Sequence, residues 1–295
     1  MKIILLYDVR GWAYYHEAIG MSKALRKHSI DCDIEAYPKF YKQYPQSKRN
    51  KYDIVFLMPR QATPLTYPSK KTIVKFSSFG DFSKQKEMNT EDFARFVCTN
   101  KQIHQQAINQ LPHLKKKIRF VPLAIDTVNF KPKPKNYNDK LVVGFAGNHK
   151  RKGKGYDLIR DAIKKLNNKV EFKCALAGPN RLDYKQMADF YNSVNVMICM
   201  SSAEGGPLTG FECGACGVPM ICGCKKSAMN DIIVDGENGF NIERTVDALV
   251  DKIKYLMTDM QIVKEASNNI LKTITSHHSW DIVIPKYITL FKEIV

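Results

Sequence analysis

The stretch that decides the fold is VMICMSSAEGGPLTGFECGACGVPMIC, residues 196–222. Its first four residues form a continuous apolar run, which predicts a buried strand. FECGACG, residues 211–217, predicts a short helix of small residues, and GVPMICG, residues 217–223, predicts another strand. Strand, glycine loop, helix and strand in this order predict an α/β unit whose helix N-terminus presents backbone N–H groups to an anion.

Two glutamates, Glu204 and Glu212, stand at the ends of the turn-rich segment EGGPLTGFE. Carboxylates repel a phosphate because both are negative, whereas they accept hydrogen bonds from sugar hydroxyls. The segment therefore predicts a ligand that carries both phosphate and sugar, which is a sugar nucleotide. Taken alone, the two glutamates are equally consistent with solvated carboxylates at helix ends.

Strand and helix patterns alternate along most of the chain, which predicts parallel sheets with connecting helices. Strand patterns of the first half are KIILLYDV, YDIVFLM, TIVKFSS, FARFVCT and KIRFVPLAI. A linker rich in Pro and Lys, DTVNFKPKPKNYNDK, precedes a second series that begins with LVVGFAG, VEFKCALAG and VMICMS. We therefore predict two doubly wound domains, residues 1–134 and 135–295, with the C-terminal helix WDIVIPKYITLFKEI returning toward the first.

Composition excludes several classes of protein. The 295 residues are 44% apolar and 25% charged, as in globular proteins, and no run approaches the roughly 20 apolar residues of a membrane span. The short apolar run of MKIILLYDV predicts a first strand rather than a signal peptide, so the eight cysteines predict a reducing cytoplasm. The net charge of +17 favours a polyanionic partner, either nucleic acid or an anionic membrane surface, with solvated lysines as the alternative.

Four motifs in colinear order resemble retaining glycosyltransferase family 4. EGGPLTGFE is similar to the E-x7-E signature of that family. The other motifs are VPLAIDTVNFKP, GFAGNHKRKGKGYDLIRDAI, and CGACGVPMIC followed by DGENGFNI. The resemblance covers most of the chain and implies the GT-B fold, in which two Rossmann-like doubly wound domains face an interdomain cleft.

The resemblance also implies roles for individual residues. Glu212 would hold the donor ribose, Glu204 would contact hydroxyls of the transferred sugar, and Lys154 would pair with the diphosphate, with Arg151 as a further catalytic cation. Further donor contacts are implied for Gly11, Asn148, Gly206, Pro207, Leu208 and Thr209.

The sequence departs from the family pattern at two places. Asn148 stands where the family has an arginine, and Arg151 or Lys150 is the candidate to replace that charge. The usual histidine of the first domain has no clear match, and His16 and Asp81 are the acceptor-side candidates. Members of the family usually work without a bound metal, so we expect neither a metal nor a cofactor besides the donor.

The segment YPKFYKQYPQSKRNKY, residues 37–52, mixes basic and aromatic residues and contains no acid. This mixture suits stacking on nucleic-acid bases beside phosphates, or a membrane interface, while a polar connection without function is the alternative. The first domain of a GT-B enzyme usually carries the acceptor. Lys39, Lys42 and Arg49 are therefore predicted acceptor-side residues.

Four cysteines, Cys213, Cys216, Cys222 and Cys224, have a spacing that a zinc site could use. They fall on the predicted short helix and in or just after the following strand. We therefore predict that they are small buried apolar side chains rather than metal ligands.

The predicted function is retaining, metal-independent transfer of a hexosyl or pentosyl group from a nucleotide-diphosphate sugar to an acceptor hydroxyl. Acceptor candidates are modified DNA of the phage type, a membrane lipid or lipid-linked glycan, and a soluble sugar or protein. Alternatives are a sugar-nucleotide epimerase or phosphorylase on the same fold, and an inactive donor-binding subunit, which Asn148 and the missing histidine favour. The expected location is the cytoplasm, a host cytoplasm for a phage protein, or the membrane surface; no oligomeric state is predicted.

Overall fold

The computed structural model describes residues 1–59, 70–79, 82, 93–137, 140–179 and 181–295. They form two compact units, Met1–Ala124 with Trp280–Val295 and Ile125–Ser279. Each unit is built on its own parallel sheet.

The first unit has a six-stranded sheet in the order β2-β1-β3-β4-β5-β6. Its strands are β1 Lys2–Tyr7, β2 Asp31–Ala36, β3 Ile54–Leu57, β4 Thr72–Phe76, β5 Arg95–Cys98 and β6 Ile118–Phe120. Its first helices are α1 Ala13–Lys27, α2 Tyr37–Gln43, α3 Gln46–Asn50 and α4 Lys101–Gln110. The central strands are buried on both faces, which is why they read as continuous apolar runs in the sequence.

The second unit has a five-stranded sheet in the order β11-β10-β9-β7-β8. Its strands are β7 Val142–Gly147, β8 Glu171–Leu176, β9 Val196–Cys199, β10 Met220–Cys222 and β11 Phe240–Asn241. Its helices are α5 Tyr156–Lys165, α6 Tyr184–Asn192, α7 Leu208–Ala215, α8 Val246–Thr258 and α9 Met260–His278. A final helix, α10 Trp280–Lys292, belongs to the first unit.

Both sheets reverse their strand order at one point. The chain adds β8 on one side of β7 and then places β9 on the other side, and β2 and β3 flank β1 in the same way. Ligands of open α/β sheets bind outside the carboxyl ends of the strands at such a switch point. The fold class of two Rossmann-like α/β units is thus confirmed, and in the second unit it points to the loops after β7 and β9.

The ends of the units differ from the predicted ranges 1–134 and 135–295. Ile125 forms a parallel bridge with Ser279, and its N–H donates to the His278 carbonyl at 2.7 Å. Phe130 is fully buried against Tyr184. Ile125, which directly precedes the predicted linker, and Phe130 within it therefore attach the start of the linker to the second unit.

The helix α10 packs against α1 within the first unit. Gly20 makes this packing feasible, because a Cβ at that position would overlap the Trp280 indole ring. Val283, Ile284 and Tyr287 continue the buried face of α10 into the core of that unit.

Two strands are absent from the sequence prediction. The edge strand β2, DCDIEA, has three acidic residues and no apolar run, and β11 has only two residues. Edge position and short length remove the apolar signal by which the other strands are recognised.

Candidate active site

The core of the candidate site is an ion pair between Lys154 and Glu204. Lys154 Nζ donates to Glu204 Oε1, and Ser201 Oγ donates to the same oxygen at 2.6 Å. Lys154 follows β7 and Glu204 follows β9, so the pair lies at the switch point of the sheet. Both side chains are mostly buried, with 24% and 14% exposure, which makes separation of the charges without a ligand costly.

The loops after β7 and β9 are held against each other by their backbones. The Ser202 N–H donates to the Gly153 carbonyl at 2.8 Å. Gly155 has a φ of +67°, and a Cβ there would overlap the Met200 carbonyl. Only glycine fits both the left-handed backbone and the close approach, and it thereby places Lys154 beside Glu204.

A third loop, after β10, fixes the backbone of Glu204. Glu204 forms a parallel bridge with Ser227. Its N–H donates to the Lys226 carbonyl at 2.7 Å, and its carbonyl accepts from the Ala228 N–H at 3.2 Å. The carboxylate therefore projects from a short, paired segment and not from a free turn.

The helix α7 begins directly after the glycine loop, with Pro207 as its N-cap. Pro207 provides no side-chain cap, and within the described residues the N–H groups of Leu208 and Thr209 have no acceptor. Gly206 precedes this cap in the half-exposed part of the loop. An uncapped helix N-terminus carries partial positive charge and suits a phosphate, and the donor contacts of these residues stay predictions.

Glu212 lies on the inner side of α7. It is buried, and the Tyr191 hydroxyl donates to Glu212 Oε2 at 2.6 Å. Burial raises the pKa of Glu212 to about 7, against the lowering effect of the Tyr191 hydrogen bond. Its other oxygen, Oε1, accepts no hydrogen bond from the described residues, and the ribose role of Glu212 stays a prediction.

The basic turn after β7 is organised by Asn148. Asn148 Oδ1 accepts from the Lys150 N–H at 3.1 Å, and the Asn148 carbonyl accepts from the Arg151 N–H at 3.2 Å. The Arg151 side chain is exposed, and within the described chain it makes no ion pair with Glu204. Asn148 thus shapes the turn, and the catalytic role of Arg151 stays a prediction.

The predicted site residues of the first unit lie on different elements of that unit. Gly11 follows β1 with a φ of +77°, consistent with the tight turn expected there. His16 lies on α1 with its ring 5.3 Å from that of Tyr15. Asp81 lies outside the described residues. The acceptor-side roles of His16 and Asp81 and the donor role of Gly11 stay predictions.

The basic and aromatic segment 37–52 folds into α2 and α3. The stacking interpretation is wrong for two of its rings, because Phe40 and Tyr52 are buried in the core of the first unit. Burial of these rings is what holds the segment on the sheet. The predicted cations differ in exposure: Lys39 pairs with Glu35 at 2.8 Å, Lys42 is exposed, and Arg49 is half-buried.

The four cysteines of the zinc-like spacing are all buried. Burial raises the pKa of Cys216 to about 12 and that of Cys224 to about 11, which keeps both thiols neutral. Among the described residues, no cluster of three or more His, Cys, Asp or Glu side chains could hold a metal ion. A search of the same residues finds no helix with the length and apolarity of a transmembrane span.

A family of known proteins matches part of the second unit. Residues 179–273 match the family described as "Glycosyl transferases group 1". This segment, about a third of the chain, is similar to that family. It contains Glu204, Glu212 and α7, so the family match covers the glycine loop and both carboxylates of the site.

One curated relative is the "Capsular polysaccharide biosynthesis glycosyltransferase CapM" of Staphylococcus aureus. It is 27% identical over 204 residues, which cover 60% of this chain and 53% of the relative. The chain thus spans about half the length of that relative.

Solved structures share the fold over nearly the whole chain. A glycosyltransferase from Rickettsia africae has a TM-score of 0.78 at 16% identity, with 99% of this chain and 98% of that chain covered. Sucrose-phosphate synthase from Thermosynechococcus elongatus has a TM-score of 0.75 at 13% identity, with 99% of each covered. Anabaena HepE in complex with UDP and glucose has a TM-score of 0.72 at 14% identity, again with 99% of each covered.

Three contributors to the site were absent from the sequence prediction. Ser201 and Tyr191 hold the two glutamates, and Lys226 supplies the carbonyl that pairs with the Glu204 backbone. Ser201 is the first polar residue after an apolar strand run, which is a usable signal. Tyr191 carries none, because its position reads as an ordinary buried position of a helix.

Proposed function

We propose that the protein is a group 1 glycosyltransferase that moves a sugar from a nucleotide-diphosphate donor to an acceptor hydroxyl. The observation that carries the proposal is the pairing of Lys154 with Glu204 at the switch point, beside an uncapped helix N-terminus. A cation, free amides and a carboxylate are the groups that a diphosphate and a sugar require.

The chemistry follows from the charges. Cleavage of the sugar–phosphate bond leaves negative charge on the diphosphate, which Lys154 and the N–H groups of Leu208 and Thr209 stabilise. Lys154 exchanges the carboxylate for a phosphate oxygen when the donor binds. Glu204, still oriented by Ser201, then accepts hydrogen bonds from hydroxyls of the transferred sugar.

We propose further that transfer is metal-independent and retains the anomeric configuration. Lys154 and the helix amides supply the positive charge that a metal ion would otherwise supply to the diphosphate. Retention follows when the acceptor hydroxyl attacks the face from which the diphosphate departs, and the departing phosphate takes the proton. No side-chain nucleophile is needed for this route.

Uridine nucleotides are the first donors to test, because the HepE structure contains UDP and glucose. For the acceptor, the net charge of +17 supports a polyanion or an anionic membrane surface. The CapM relative, by its name, supports a glycan. We therefore compare three classes of acceptor directly: modified DNA, a lipid-linked glycan, and a soluble sugar or protein.

The test is a panel of nucleotide sugars, with release of nucleoside diphosphate measured with and without acceptors. We expect turnover with one donor and its loss in K154A and E204Q. The control variant is K264Q, which removes an exposed lysine of α9 that makes no ion pair with the described residues. Absence of nucleotide binding and of turnover with every donor would overturn the proposal.

A donor-binding subunit without activity is the second candidate, and Asn148 in place of an arginine is the observation that favours it. Calorimetry distinguishes the two. Tight donor binding without hydrolysis or transfer, for every acceptor class, would establish the binding subunit instead of the enzyme.

A further inference from the structure

Two exposed lysines, Lys225 and Lys226, lie on the loop that pairs with the backbone of Glu204. They precede Ser227, the bridge partner of Glu204, and the Lys226 carbonyl accepts the Glu204 N–H at 2.7 Å. No sequence motif assigns these lysines a role. The backbone pairing places their loop beside the segment that carries Glu204, the carboxylate proposed to hold the transferred sugar.

The loop that carries the lysines is firmly held. Asn230 Nδ2 donates to the carbonyls of Cys224 at 3.0 Å and Lys225 at 2.9 Å. The Ser227 hydroxyl accepts from the Met229 N–H at 3.1 Å. The backbone is therefore preorganised, while the lysine side chains extend to the surface.

The charges of these lysines have no partner among the described residues. In that part of the chain, neither Lys225 nor Lys226 pairs with a carboxylate, whereas Glu204 pairs with Lys154. The diphosphate of a donor has Lys154 and the N-terminus of α7 as its own partners. Glu204, which donor binding is proposed to free from Lys154, is assigned to the sugar hydroxyls, so the charges of both lysines are left for a further anionic group.

We propose that Lys225 and Lys226 bind an anionic group, a carboxylate or a phosphate, carried by a sugar substrate held at Glu204. The inference rests on the proposed function and specifies its substrate class. The anion comes either from the donor, as the carboxylate of a hexuronic acid, or from the acceptor, as a phosphate or carboxylate on its sugar. A preorganised pair of cations distinguishes such a substrate from its neutral counterpart.

The experiment compares charged and neutral substrates on the whole protein. The first arm measures kcat/KM for UDP-glucuronate relative to UDP-glucose, and for UDP-galacturonate relative to UDP-galactose. The second arm measures transfer from the preferred donor to glucose 6-phosphate relative to glucose. Both arms are run with wild type, K225Q/K226Q and the matched control K264Q/K272Q, whose two lysines are exposed on α9 and unpaired within the described chain.

We expect the charged-to-neutral ratio of one arm to fall by about tenfold in K225Q/K226Q, which corresponds to about 1.4 kcal/mol. A fall in the first arm assigns the anion to the donor, and a fall in the second arm assigns it to the acceptor. Charge reversal in K225E/K226E should lower the same ratio further. Thermal unfolding of each variant checks that it is folded. We expect unchanged melting temperatures, because the substituted side chains are exposed.

Three results overturn the inference. They are a change of less than threefold in both ratios, an equal loss for charged and neutral substrates, and the same fall in K264Q/K272Q. If wild type turns over a neutral donor in these cases, the inference about the lysines fails while the proposed function stands. If wild type neither binds nor turns over any nucleotide sugar, the proposed function itself fails.

Discussion

Replacement of Glu212 by glutamine should stabilise the protein at alkaline pH and weaken its binding of the donor. Glu212 is buried and keeps one hydrogen bond, from Tyr191, inside the protein. Glutamine has nearly the same shape and can accept that hydrogen bond without a charge. The substitution therefore removes the cost of the buried charge while it removes the carboxylate proposed to bind the ribose.

The size of the expected stabilisation follows from the pKa of Glu212, which burial raises from 4.5 to about 7. A raised carboxyl pKa means that the folded state binds the proton more tightly than the unfolded state. The stabilisation by that proton is complete below pH 4.5 and is lost as the pH rises through about 7. At about 1.4 kcal/mol per pKa unit, the loss amounts to roughly 3 kcal/mol.

The assay is the melting temperature of wild type and E212Q, measured from about pH 5 to pH 9. The two should melt close together at the acidic end. E212Q should melt several degrees higher at the alkaline end, at about 2–4 °C per kcal/mol. E237Q is the matched control, because Glu237 is exposed in the same unit.

Calorimetry with the donor completes the experiment, and E212Q should bind it more weakly than wild type. Parallel melting curves for wild type and E212Q would refute the burial argument. Unchanged donor affinity in E212Q would refute the ribose role. The two parts of the reasoning can therefore fail separately.

Three further predictions concern the loops and the basic segment. K154A should lower turnover by about 10²-fold, the scale of losing one preorganised electrostatic partner, and wild-type kinetics would remove its phosphate role. G155A should lower the melting temperature and impair turnover together, because its Cβ would overlap a backbone carbonyl after β9; an unperturbed variant would contradict the docking of the two loops. K39Q/K42Q/R49Q should leave donor hydrolysis intact and weaken transfer to polyanionic acceptors in a salt-dependent assay, whereas loss of both activities would indicate misfolding.

Apolar runs were sufficient to predict the central strands of both units, because strands buried on both faces need apolar residues at every position. The edge strand β2 escaped prediction, since solvent on its open side permits DCDIEA. The attachment of the linker to the second unit could not be read from its composition. It depends on Ile125, just before the linker, and on Phe130 within it, whose contacts are visible only in the fold.

The site was predicted in outline and not in its contacts. The glycine loop and its two glutamates are local in sequence, so their spacing could be recognised directly. The ion pair between Lys154 and Glu204 joins residues that lie 50 positions apart, and only the placement of β7 beside β9 reveals it. The same holds for the loop of Lys225 and Lys226, which the bridge between Glu204 and Ser227 pairs with the segment of Glu204.

The most direct test of the account is the release of nucleoside diphosphate from its preferred nucleotide sugar by wild type and E204Q, measured together with nucleotide affinity. We predict that E204Q retains affinity for the free nucleoside diphosphate, because Lys154 is freed for the phosphate, while turnover falls by at least tenfold. Equal turnover in the two proteins, or no affinity of wild type for any nucleotide, would contradict the assignment of this pair to sugar transfer.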